Sequence, residues 1–446
     1  MQNYKKDVQM NLFTEEDQKK ILNLGIKYLH VLKACSPKDG INTYNAKEKE
    51  YFRNVFLKQK ASLSIYSFIP ASGAASRMFK DLIFKNTKAI DLFNSNKSKF
   101  PFNTAGDIET IISNLSTVPK ALIPFHKEKN KTIMPFEKQL MINRELIGCD
   151  AKIHFTISES HISTFEDLAK NLSTMYDTSI QFSTQNTETN TICVNKQGEV
   201  FFDQNNKVVK RPAGHGALLE NLNAVKADIV LIQNIDNVPN KTNFNTVIEH
   251  KRFLTGLLID TQNLIFRALS EIDNKTFQLR TYTSLFKDLG LEMEKLDLKT
   301  IQYLLNRPLR VCGMVPNTGE PGGGPFWVES KQGQKSKQII EKVHLDTTNN
   351  IQKSIVDAST HFNPVNIICG LKNYKGNSFN LNEFVDYDTC IINQKNIGNV
   401  EVKTLEYPGL WNGSMAGWNS VFAEVPKETF TPVKTIFDLL KKEHQE

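Results

Sequence analysis

Four short runs along the chain are apolar almost throughout: Ile65–Ile69, Ile153–Ile157, Ile229–Ile232 and Val311–Val315. Runs of this kind read as strands covered on both faces, and each is followed by a polar or glycine-rich stretch. Between them apolar residues recur at helical spacing, most clearly from Val247 to Ile272. The alternation predicts an α/β fold, a parallel or mixed sheet with helices on both sides. Residues 14–60 read as helical, opened by a Thr14 and Asp17 capping signal and carried by an apolar stripe through Ile21, Leu22, Leu24, Ile26 and Leu29. The polar, lysine-rich residues 88–116 read as an insertion, a lid or a surface loop. VFFDQNNKVV reads as a hairpin turning at Gln204 to Asn206, and Lys434 to Glu443 as a terminal basic helix. The expected division is an N-terminal helical region (1–60), an α/β domain (61–345) and a C-terminal α+β extension (346–446).

In open α/β sheets ligands sit beyond the carboxyl ends of the strands, so the four strand tails are where chemistry is sought. The first tail, Ala71-Ser72-Gly73-Ala74-Ala75-Ser76-Arg77, is read either as a tight turn or as a phosphate cradle. In the second reading free main-chain N–H groups meet the anion with a guanidinium beside them. The second, SESHISTFEDL, places Ser158 and His161 at a helix start. The third, QNIDNV, carries Asp236, which reads as a turn residue or as an oxygen ligand for Mg²⁺. The fourth, Gly319 to Phe326, packs four glycines and two prolines into eight residues, an irregular loop that lets main chain approach a ligand. Gly214-His215-Gly216 is a helix start or a flat contact for a base. Lys120, between Pro119 and Pro124 in an apolar segment, reads as a fixed point charge. Glu341-Lys342 closes a strand-like run, as an exposed ion pair or a contact site.

Composition narrows this little. The 446 residues allow one large core with additions or two to three domains. A net charge of +7, spread along the chain, does not argue for nucleic acid but suits an anionic small substrate. Six scattered cysteines without a Cys-x-x-Cys pair suggest neither a zinc site nor a disulfide framework. With no apolar run of membrane-spanning or signal-peptide length, a cytoplasmic protein with no membrane partner is expected.

Taken together and in order, these stretches resemble the nucleotidyltransferases that make nucleotide sugars, especially the uridylyltransferase branch. Ala71 to Met78 resembles that family's A-G-G-x-G-T-R-[LM] loop, with Ser72 and Ala75 where glycine is usual. Pro119 to Pro124 resembles its P-K-x-L-x-P segment, and Pro135 to Leu140 the P-[LF]-x-x-x-L that follows. PAGHGALLENL is similar to its P-x-G-[HN]-G segment, LIQNIDN to its N-x-D-N strand end and IIEK to its V-E-K. GEPGGGPF and PGLWNGSMAGWNSVF mark the chain as resembling an uncharacterised bacterial family within the superfamily.

The resemblance implies a Rossmann-like, GT-A-type mixed sheet and an Mg²⁺-dependent NTP:sugar-1-phosphate nucleotidyltransferase, with UTP favoured and a phosphorylated sugar as acceptor. It implies that Ala71, Ser72, Gly73 and Ser76 hold the triphosphate with Arg77, and that Lys120 neutralises charge at the α-phosphate. Asp236 would bind Mg²⁺, and Gly214, His215 and Gly216 would face the base. Glu320, Gly322, Gly323, Gly324, Glu341 and Lys342 would face the acceptor. Trp411 and Asn412 could stack on and hydrogen-bond a sugar, or be core. A glycosyltransferase of the same superfamily and a non-catalytic nucleotide-sugar-binding protein are the alternatives.

Overall fold

A computed structural model of the chain describes residues 13–129, 131–149, 151–292, 296–319, 322–330 and 333–445. Its centre is an eight-stranded mixed sheet. From one edge the strands run Asn419–Glu424, Leu309–Pro316, Asn366–Gly370, Ile229–Gln233, Ile65–Pro70, Ala151–Thr156 and Thr178–Ser183. The short strand His361–Phe362 pairs with the end of Leu309–Pro316. The four apolar runs expected as strands are all members. Ile229–Gln233, Ile65–Pro70, Ala151–Thr156 and Thr178–Ser183 are mutually parallel. Asn366–Gly370 runs antiparallel to both Ile229–Gln233 and Leu309–Pro316, so those two strands also point the same way. The tails of all four apolar strands therefore emerge at one edge of the sheet.

Both faces are covered, which is why these strands show no polar alternation. Ile229 and Leu231 pack with Leu254, Leu257 and Leu258 of the helix Lys241–Asp273. Val230 and Ile232 pack on the other face with Leu218, Leu222, Leu410 and Trp418. Lys241–Asp273 spans 33 residues, about 50 Å, and its start is capped by the Asn240 side chain accepting from the N–H of Asn243. Gly256 lets it cross the helix Ala46–Gln59 closely, since a Cβ there would lie 1.7 Å from the carbonyl oxygen of Phe52.

Several local expectations change. Residues 14–60 are not helical throughout. The helices Glu15–Leu24, with its Thr14 and Asp17 capping box, and Ala46–Gln59 flank short strands, of which Val31–Ala34 pairs with Gly324–Glu329. The glycine-rich stretch thus enters a strand at Gly324, because Lys335–Ile340 and Val31–Ala34 offer partners on both sides. Residues 88–116 hold two helices, Thr87–Ser95 and Ile108–Ser116, capped by Asn86 and Asp107, with Phe93 and Ile111 buried. The hairpin between Phe202 and Val208 forms as expected. The terminal helix does not: one 3₁₀ segment, Ile436–Leu440, opened by a Thr435 and Asp438 capping box, replaces it, and the chain turns extended at Lys441. Residues 346–446, expected as an extension, supply the strands Asn366–Gly370 and Asn419–Glu424 to the central sheet. Among the described residues no helix is long and apolar enough to cross a membrane, and all six cysteines are free.

Candidate functional site

The strand Ile65–Pro70 delivers the small-residue loop. Ala71 is buried and its N–H donates to Thr156 at 2.8 Å, while Ser72, Gly73, Ser76 and Arg77 are exposed. The loop is followed only by a 3₁₀ turn, Ala75–Arg77, and one α turn, Lys80–Ile83. Any cradle here is therefore loop main chain and not a helix terminus. The N–H groups of Ser72 and Gly73 find no acceptor among the described residues. Gly73 has an ordinary φ, and a Cβ added to it would meet nothing within 4 Å, so packing does not require glycine there. It leaves open space over donors, which suits the approach of an anion.

The lysine between prolines lies against this loop. Lys120 donates its main-chain N–H to Gly73 at 3.1 Å, and Ala75 donates to Val118 at 3.1 Å. The Lys120 ammonium reaches across to Asp236 Oδ2 at 2.8 Å. Sequence reasoning missed a third member. Lys434 Nζ donates to Asp236 at 2.9 Å (Oδ2) and 3.2 Å (Oδ1), on a segment whose Val433 N–H also donates to the Asp236 carbonyl at 3.1 Å. Two residues on, Ile436 donates to the Met78 carbonyl at 3.0 Å, beside Arg77. The first strand tail, Lys120, Asp236 and the C-terminal segment thus converge. Burial pushes the Asp236 carboxyl up, but the two ammonium groups outweigh it and hold the group below the usual carboxylate range. The available signal for Lys434 was the sequence Thr431-Pro432-Val433-Lys434, a lysine held after a proline as Lys120 is.

Whether Mg²⁺ fits depends on the donor set. Among the described residues no group of three or more His, Cys, Asp or Glu side chains gathers as a cation site. Asp236 contributes one carboxylate, and both its oxygens already accept from ammonium groups. Such a set does not fit a free divalent cation, which needs several oxygen donors and tolerates no ammonium at contact.

A second cluster gathers five of the residues expected to face base and acceptor. The His215 ring stacks on Trp411, with centroids 4.2 Å apart and planes 12° off parallel. Its Nδ1 accepts the Leu410 N–H at 3.0 Å, which places the proton of the neutral ring on Nε2, 3.9 Å from Glu341 Oε1. Burial draws this imidazole from its usual 6.5 to about 4, so it is neutral at physiological pH. Asn412 Nδ2 donates to Glu341 Oε1, and burial pushes the Glu341 carboxyl up. A Cβ on Gly323 would lie 3.3 Å from Asn412 Oδ1, a buried acceptor without a partner among the described residues. Arg310, fully buried, donates from Nη1 to the Trp411 carbonyl and from Nε to Ser420 Oγ, both at 2.8 Å, and so fixes this loop. A charged residue inside the apolar strand Leu309–Pro316 was the signal for it.

Other expected residues fall elsewhere. Gly214 adopts a φ of +74°, and a Cβ on Gly216 would lie 2.2 Å from the Pro408 carbonyl oxygen, so both glycines answer to packing against residues 406–408. This packing accounts for their smallness. Gly322, Gly324 and Lys342 line a small cavity of about 120 Å³ with Phe326, His361 and Phe362. Glu320 lies outside the described residues. A larger cleft of about 430 Å³, between Ala46–Gln59 and Lys241–Asp273, contains none of the expected residues.

Residues 2–117 and 107–445 match the family described as Domain of unknown function (DUF4301). The chain belongs to that family. A search of the curated proteins finds no match. Among solved structures, the uridine diphosphate N-acetylglucosamine pyrophosphorylase of Trypanosoma brucei, in complex with inhibitor, is similar over 92% of this chain and 72% of its own. Identity is 13% and the TM-score 0.53. A putative UDP-N-acetylglucosamine pyrophosphorylase of Entamoeba histolytica follows at 12% identity and a TM-score of 0.47, over 87% of this chain and 80% of its own. A variant UDP-glucose pyrophosphorylase of Leishmania major stands at 14% and 0.44, over 94% and 73%. The first of these carries the fold: this DUF4301 chain has the mixed-sheet, GT-A-type architecture of a nucleotide-sugar pyrophosphorylase.

Proposed function

We propose that this DUF4301 protein is an NTP:sugar-1-phosphate nucleotidyltransferase, with UTP the favoured nucleotide. The observation that carries the reading is the meeting of the open Gly73 loop, Lys120, Asp236 and Lys434 at one edge of the sheet. In the reaction an oxygen of the sugar phosphate attacks the nucleotide α-phosphorus. The bond to the β-phosphate oxygen breaks and pyrophosphate leaves with its electron pair. No protein nucleophile is needed, because positioning and neutralisation of charge lower the barrier. The N–H groups of Ser72 and Gly73, with Ser76 and Arg77, hold the triphosphate. Lys120 and Lys434 lie where they can meet the α-phosphate and the departing pyrophosphate. His215, Glu341, Trp411 and Asn412 supply a flat aromatic face, a carboxylate and an amide, a set suited to the ring and hydroxyls of a sugar or nucleoside.

Exchange of labelled pyrophosphate into nucleoside triphosphates, measured with a sugar 1-phosphate panel and Mg²⁺ in the buffer, tests this. Exchange with UTP, lowered about a hundredfold or more in Arg77→Ala, is expected from the loss of one charge-stabilising group. Absence of exchange with every nucleotide and acceptor, in protein that binds UTP, would replace the enzyme with a binding protein. Absence of binding as well would remove the nucleotide altogether.

A further inference from the structure

The charge arrangement around Asp236 has a bearing on how a cation could reach it. Resting on the reading above, we infer that Lys434, brought in by the C-terminal segment, closes Asp236 to free divalent cations. A cation then joins this carboxylate only together with a polyphosphate anion that draws the lysine away. Three observations support it. Lys434 contacts both carboxylate oxygens, and Lys120 takes a second position on Oδ2. The two lysines differ in freedom: the Lys434 side chain is 47% exposed and Lys120 15% exposed, so Lys434 is the one that can turn away. The segment carrying Lys434 is tied to the loops around it. Its main chain bonds Asp236 and Met78, Thr431 donates to Asn237 Oδ1, and His444 meets His126 at 3.1 Å on the hairpin that follows Lys120. An anion taken up by the Gly73 loop would lie beside both lysines and compete with Asp236 for them.

The test uses Mn²⁺ alone as probe, on the full chain without nucleotide, followed by loss of the free-ion electron paramagnetic resonance signal. Wild type and Lys434→Arg should bind Mn²⁺ weakly. Lys434→Ala and Lys434→Gln should bind it at least about tenfold more tightly, and Asp236→Asn/Lys434→Gln should lose that gain. Circular dichroism confirms that each variant is folded, and the glutamine variant, which keeps a polar donor, serves if alanine is not. Wild type binding Mn²⁺ as tightly as Lys434→Gln overturns the inference, as does a gain that persists without Asp236. In a second arm Mg²⁺ and inorganic tripolyphosphate together should raise the wild-type Tm by more than the sum of their separate shifts, an excess absent in Asp236→Asn. A purely additive shift also refutes it. Neither arm requires turnover. Failure here with intact pyrophosphate exchange removes the gate and leaves the enzyme, whereas failure of exchange with a clear Mn²⁺ gain does the reverse.

Discussion

Replacing Asp236 by Asn asks whether the ion cluster holds the site together or only decorates it. The substitution keeps shape but removes the charge facing Lys120, whose side chain is 15% exposed, and Lys434, which is 47% exposed. Removing one partner of a buried pair costs about 3–5 kcal/mol, because the other charge is left unpaired. Lys434 can swing into water and adds little to that cost. Lys120, fixed by its main-chain bond to Gly73, cannot. The expected loss is therefore at the lower end, about 3 kcal/mol. Over 446 residues the unfolding entropy is about 0.9 kcal/mol/K, so Tm falls by roughly 3 °C. Asp236→Asn/Lys120→Met, which leaves no unpaired charge, should recover most of it. The pair also predicts a pH effect. A carboxylate held below its usual range stabilises the fold above a pH of about 3.9, and that contribution disappears as pH falls through its folded value. The acid limb of the wild-type stability curve should therefore be steeper than that of Asp236→Asn. Calorimetry on the three proteins measures all of this. A single variant melting within 1 °C (about 0.9 kcal/mol) of wild type, or a double variant melting no higher than the single, refutes the reasoning.

Two further substitutions separate packing from function. Gly216→Ala forces a Cβ against the immovable Pro408 carbonyl and should cost about 1–3 kcal/mol in denaturant unfolding. Gly73→Ala meets nothing and should leave Tm unchanged while weakening UTP binding in calorimetric titration; unchanged affinity would remove the loop from the site. Lys251 is fully enclosed, with a single 3.4 Å hydrogen bond to Asn366, and burial draws its ammonium from 10.5 to about 7. Between those values the unfolded chain binds more protons, so wild-type stability should rise with pH there. Lys251→Met, similar in length and uncharged, should gain about 2–4 kcal/mol at pH 7, with the gain shrinking toward pH 10. Equal stability of the two proteins at pH 7 would contradict this.

The core of the fold was legible because hydrophobic burial writes itself into local pattern. A strand covered on both faces has no polar alternation, and Ile229 to Ile232 could hardly read otherwise. The loop after Ile69 and the carboxylate after Ile232 were legible from position, since tails of parallel strands share an edge. What escaped was non-local. Lys434 lies 198 residues from Asp236, and Pro432 just before it marks a stiffened lysine without naming its partner. The terminal helix was misread because its basic, apolar spacing is helical in isolation, while in the fold the segment is anchored through Ile436 to Met78 and turns extended at Lys441. Gly214 and Gly216 carry a packing reason that the local sequence does not show: the Glu406 side chain lies against Gly214, and the Tyr407 and Pro408 main chain against Gly216.

The strand Asn419–Glu424 sits beside Leu309–Pro316, more than a hundred residues earlier in the chain, and the Lys434 segment then laces across three loops. As the polypeptide leaves the ribosome, most of its sheet can assemble before the Lys434 segment reaches the Asp236 loop. Non-local closure of this kind is slow. Closure of the candidate site by Lys434 therefore depends on a segment made well after the loops that carry Lys120 and Asp236.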